Sequence, residues 1–194
     1  MASFVLAVVL ALTALPLLAA WAHDTWRGAH GWPQDPVWFL AGLGGAAALV
    51  WWRRPNWLVH TFVHESCHAV ACLLTGVRLR EFQVSDGHGG AVLHDRTDAW
   101  RTAIIAIAPY TLPLTLAPAL AAQDLARNAT VRDLCSLAVG FLAVHHAHAL
   151  WHNLRLNFAH RQGDLARVGR PLSLVLIACA QCATAVWVVR TMWG

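Results

Sequence analysis

Six apolar runs, each close to the length that crosses a bilayer, leave this chain few ways to fold. They cover residues 4–22, 37–52, 57–74, 102–122, 134–151 and 172–193. About 20 residues of helix span the hydrocarbon layer, and a backbone crossing it must satisfy its own hydrogen bonds. The runs therefore read as about six transmembrane helices. The second is short, but Trp38, Trp51 and Trp52 at its ends suit the membrane interface. With 58% hydrophobic residues, 12% charged and a mean hydropathy of +0.49, the composition is too apolar for an ordinary soluble domain. The expected fold is an all-α integral membrane protein with one short β-hairpin. Residues 1–194 form a single polytopic domain, with two peripheral helices over 1–56 and a core over 57–180. The first run ends in Ala20-Trp21-Ala22, a pattern that signal peptidases cut. No Lys or Arg precedes it, so residues 1–22 are read as an uncleaved helix.

All 14 basic side chains are arginine, which points to a coding bias rather than a basic binding surface. The net charge of +4 is scattered over short loops, so nucleic acid is not an expected partner. Counting arginines in alternate loops puts nine (Arg27, Arg78, Arg80, Arg96, Arg101, Arg155, Arg161, Arg167, Arg170) on one side and five (Arg53, Arg54, Arg127, Arg132, Arg190) on the other. The richer side is expected to be cytoplasmic, with the amino terminus outside. The five cysteines, Cys67, Cys72, Cys135, Cys179 and Cys182, lie in or beside apolar runs and read as small packing residues.

The third run carries His64-Glu65-Ser66-Cys67-His68. On a helix with about 3.6 residues per turn, two histidines four apart stack on one face, and Glu65 sits roughly 100° round from His64. Two neutral imidazoles can take two positions of a tetrahedral zinc ion, and the adjacent carboxylate can deprotonate water there. A carboxylate in a membrane helix costs about 2.5–3.5 kcal/mol on insertion scales, and such residues usually mark a functional interior. Glu65 is one of two glutamates in the chain, the other being Glu81.

After the motif the pattern changes. Residues 77–84 alternate apolar and polar side chains, Ser85-Asp86-Gly87-His88-Gly89-Gly90 makes a turn, and Ala91-Val92-Leu93-His94 resumes. This predicts a hairpin, either a structural cap or an edge strand that holds an extended peptide.

A catalytic zinc needs a third protein ligand. Asp164, behind Gly163, is one candidate, although an Asp at that position also suits a helix cap. The cluster His145, His146, His148 and His152 is the other source, with His148 as a third ligand or as a hydrogen-bond partner behind the ligands. These imidazoles could equally bind a haem iron. His23, His30, His60, His88, His94 and His160 read as solvated or interfacial.

Residues 63–70 with 74–78, the Gly-rich hairpin, Ala108-Pro109-Tyr110 and the stretch from His148 to Gln162-Gly163-Asp164-Leu165 resemble the site-2 protease class of intramembrane zinc metalloproteases, in particular its small bacterial branch without a PDZ domain. The resemblance implies zinc held by His64, His68 and Asp164, with Glu65 activating water. It implies hydrolysis of a peptide bond in a membrane-protein substrate, with the active site towards the cytoplasmic side. The sequence departs from better-known members in having Gly163-Asp164-Leu165 instead of a Leu-Asp-Gly word. Two other readings are an inactive relative acting as a membrane assembly partner and a non-enzymatic protein binding metal or haem through the α-helical histidines. The sequence does not specify an oligomeric state.

Overall fold

The computed structural model describes residues 2–29, 36–53, 56–85, 89–159 and 163–193. The elements run α1 (Ala2–Gly28), α2 (Pro36–Trp52), α3 (Trp57–Leu74), β1 (Leu79–Ser85), β2 (Gly89–His94), α4 (Ala99–Thr111), α5 (Leu116–Leu125), α6 (Ala129–Ala159), α7 (Asp164–Val168) and α8 (Arg170–Trp193). Arg54, Asp86, Gly87, His88, His30, His160, Arg161 and Gln162, all named above, lie outside the described residues.

The chain is mostly helical, as its apolar runs require. Among the described residues three helices, α1, α6 and α8, are long and apolar enough to cross a membrane, against the six spans expected. The expected fourth span is broken: α4 and α5 meet at 70°. The break follows Pro109, which lies near the end of α4, and Pro113, in the link between the helices. α2, at 17 residues, is shorter than a span. α3 has the expected bounds, set by the Asn56 side chain, which accepts from the Leu58 and Val59 amides at its first turn. Its hydropathy is lowered by the motif residues that it buries.

α1 packs along α8, and Ser3 at its start lies beside Gly169, immediately before α8. The two helices therefore start at the same end, which puts Arg27 at the end away from Arg167 and Arg170. Trp57 at the start of α3 stacks on His152 near the far end of α6, ring centroids 4.4 Å apart, which brings Arg53 towards Arg155. The strict alternation behind the arginine count does not hold, because Arg27 lies at the end opposite Arg167 and Arg170.

α2 crosses α6 backbone to backbone. A Cβ added to Gly140 would overlap the Phe39 carbonyl oxygen, and one added to Gly42 would overlap that of Leu137. Small residues at such crossings let helices approach where lipid supplies no hydrophobic drive. Below the crossing, Phe39, Leu116, Leu120, Val139 and Met192 form one buried cluster joining α2, α5, α6 and α8. A second, Cys67, Ala71, Cys72, Val77, Ile105 and Ala108, binds α3 to α4. All five cysteines are free thiols.

β1 and β2 pair antiparallel from Ser85↔Gly89 to Leu79↔His94, with a bulge between Leu79 and Glu81. Arg80, at the bulge, bonds the Asp95 carboxylate at 2.5 Å and holds it below the usual carboxylate range. The hairpin does not stand alone in water: it packs on α3.

Gly42→Ala and Gly140→Ala should each destabilise the protein in detergent by about 1–3 kcal/mol through overpacking. Gly44→Ala and Gly45→Ala, whose added Cβ meets nothing within 4 Å, should not. Thermal unfolding of the four variants checks this, and equal midpoints would show that the crossing is not tight.

Candidate metal centre and active-site cleft

His64 and His68 lie one turn apart on the inner face of α3, their rings 5.0 Å apart edge to face. Asp164 reaches them from the first position of α7. Its Oδ2 is 3.9 Å from His64 Nε2 and 3.7 Å from His68 Nε2. Among the described residues this is the group of His, Cys, Asp or Glu side chains whose ligand atoms lie close enough to share an ion, all within 4.8 Å of one another. A tetrahedral zinc with bonds of about 2.0–2.2 Å separates its ligand atoms by about 3.3–3.6 Å. The two Asp164 separations are a few tenths of an ångström wider and the two imidazoles lie within 4.8 Å of each other, so the three donors fit the ion once the side chains turn inward.

The tautomer also fits. His68 Nδ1 is 2.7 Å from the Ile105 carbonyl oxygen, which can only accept. The proton is therefore on Nδ1, and Nε2 turns its lone pair towards Asp164. A backbone carbonyl behind a metal-ligating histidine orients the ring and raises its basicity.

Asp164 is not the helix cap that its sequence position also allowed. Gly163 occupies the cap position, and the carboxylate points to the histidines instead. Asn157 of α6 holds this turn. Its Oδ1 accepts from the Leu165 amide at 3.4 Å and its Nδ2 bonds the Tyr110 hydroxyl. Gly163 matters here, since any Cβ would overlap the Asn157 amide. Tyr110, fully buried on α4, neighbours Asp164 through its hydroxyl and meets the His64 ring edge to face at 6.1 Å. Neither Asn157 nor Tyr110 stood out as a site residue in the sequence. The sequence cue for Tyr110 was its place in the Ala108-Pro109-Tyr110 stretch; Asn157 had none.

Glu65 is buried beside the histidines, and β2 lies across it. A Cβ on Gly90 would come within 2.5 Å of Glu65 Cγ and 2.9 Å of Oε1. Between β2, α3, α4 and α7 opens a cleft of about 530 Å³, lined by His64, Glu65, His68, Asp164, Arg167 and the strand from Gly90 to His94.

The α6 histidines do not join the metal group. His148 is half-buried and outside it. His146 Nε2 bonds Gln181 Oε1 at 3.0 Å, and the His152 ring packs on Trp57 and His60. His60, read as solvated or interfacial, is half-buried, and its Nε2 meets Asn153 Oδ1 at 2.9 Å. His94 is half-buried at the cleft, whereas His23 is exposed.

The sequence model of the family described as Peptidase M50B-like matches residues 40–154, more than half of the chain. The match takes in His64, Glu65 and His68 and ends before Asp164. Neither the curated proteins nor the solved structures contain a match.

Replacing Asn157 by Leu should weaken zinc or cobalt binding about 10–100-fold, the usual cost of losing support behind a ligand. His148→Ala should leave it unchanged. Chelator competition on both variants decides, and the reverse ranking would move the third ligand to α6.

Proposed function

This chain belongs to the Peptidase M50B-like family, the site-2 protease family, and we propose that it is an intramembrane zinc endopeptidase acting on a membrane-protein substrate. The observation that carries the reading is the convergence of His64, His68 and Asp164 beside a buried Glu65 at the floor of a cleft. Peptidases of this family depend on zinc in general, and the donor set, its spacing and the His68 tautomer suit that ion.

His64 Nε2, His68 Nε2 and an Asp164 oxygen would hold the metal. When bound, zinc lowers the pKa of water to about 7 and polarises a carbonyl. Glu65 then takes one proton from the attacking water as its oxygen bonds to the carbonyl carbon. It returns that proton to the amide nitrogen as the carbon–nitrogen bond breaks. Tyr110 and Asn157 keep Asp164 turned towards the histidines through this exchange.

A substrate helix has no exposed carbonyl and must open before cleavage. β2 pairs with β1 on one side, and its residues 90–94 line the cleft on the other. Such a strand can pair with an unwound segment and lay it over Glu65. We place the cleft towards the face carrying Arg155, Arg167 and Arg170, which the positive-inside tendency makes cytoplasmic. The likeness to the small bacterial branch points to the inner membrane.

Glu65→Gln should retain stoichiometric zinc while cleavage of a co-expressed membrane substrate disappears. Asp164→Ala and His68→Ala should lose both. Gly90→Ala should keep zinc but lower cleavage about a hundredfold, because the strand must move off Glu65. Zinc in the wild type with no cleavage of any membrane substrate would instead identify an inactive relative. Undiminished cleavage by Glu65→Gln would remove Glu65 from the mechanism.

A further inference from the structure

At the end of α6 and α8 away from the metal centre lies a second cavity, of about 720 Å³, which the proposed chemistry does not use. It is lined by Gln123, Asp124, Ala126, Arg132, Trp187, Arg190 and Thr191. Arg132 is in the first turn of α6 and Arg190 in the last turn of α8, two helices long enough to span. Both guanidinium groups are exposed, and among the described residues no ion pair engages either. Two cations on one pocket repel each other unless an anion lies between them.

The opposite wall is polar and incompletely paired. Gln123 donates from Nε2 to Ser136 Oγ at 3.0 Å, which leaves its Oε1 buried with no partner. Thr191 Oγ1 is buried and unpartnered as well. Asp124 Oδ2 accepts from Trp187 Nε1 at 3.3 Å, and its carboxylate remains exposed at the rim. One side of the pocket thus calls for a negative group, and the other offers the exposed Asp124 carboxylate to a donor or cation. The setting points to the class of molecule: the pocket lies at the ends of two helices long enough to span, and Leu125, between the lining Asp124 and Ala126, and Val131, next to Arg132, are 78% and 46% exposed. A water-soluble anion would gain nothing from them, but acyl chains would.

We propose that this pocket holds the headgroup of a phospholipid bearing a primary ammonium. Its phosphodiester lies between Arg132 and Arg190, its ammonium points to Asp124, and its chains lie over Leu125 and Val131. Guanidinium groups suit phosphate oxygens, and basic pockets between spanning helices take lipid headgroups. The volume lies in the range of small-molecule pockets, about 300–1,000 Å³.

Native mass spectrometry of the full chain released from detergent, with added lipid, tests the assignment. One phosphatidylethanolamine should be retained in preference to phosphatidylcholine, whose trimethylated nitrogen has no N–H to donate. The Arg132→Gln/Arg190→Gln double variant should lose about 10–30-fold in affinity, and Asp124→Asn should lose the preference between the two lipids. Arg132→Lys/Arg190→Lys, which keeps both charges, should still bind, separating lost charge from a disturbed fold. Equal retention by wild type and the Gln double variant, or no preference between the lipids, would overturn the proposal. So would competition by soluble glycerophosphoethanolamine at the lipid's own concentration, which would make the ligand a soluble phosphodiester.

Discussion

The approach of the Asp164 carboxylate to two imidazoles depends on polar groups that have no water to turn to. Around this site each finds its partner inside the protein. His68 uses the Ile105 carbonyl, and Asn157 spends one end of its amide on Leu165 and the other on Tyr110. These bonds join α3, α4, α6 and α7 at one point. Loss of any of them would leave a buried polar atom unsatisfied, a larger penalty than the bond itself is worth. The same network that aims the ligands therefore ties the helices together.

Close backbone approach does the remaining positioning, and glycine permits it. Gly90 lets β2 lie on Glu65, and Gly163 lets the turn before Asp164 close on Asn157. Gly42 and Gly140 bring α2 onto α6, whose far half carries Asn153 and Asn157. Lipid tails are as apolar as leucine, so helices here gain from contact and fit rather than from escape from water. A cleft open to water can then exist beside α3 because the hairpin, and not another helix, covers that flank.

The bend between α4 and α5 separates the two ends of the molecule. α4 supplies Ile105 and Tyr110 to the candidate metal site. α5 turns by 70° and delivers Gln123 and Asp124 to the opposite pocket. A straight helix over residues 102–122 could not serve both places.

Much of this was legible in the residues. The bounds of α3, the stacking of His64 and His68, the hairpin and the membrane setting follow from local rules: helical period, strand alternation and hydropathy. The count of spans was not, because hydropathy measures composition along a run and is blind to a bend near its middle. Nor were Tyr110 and Asn157, whose roles depend on partners 47 and 8 residues away. Asp164 stood open between cap and ligand, since either use needs only one carboxylate at that position. What the sequence determined by itself was the chemistry available, two imidazoles and a carboxylate on one helix within an apolar chain. Which distant acid turns towards them, and which strand lies over Glu65, only the tertiary structure decided, because both rest on contacts between segments whose separation no local period records.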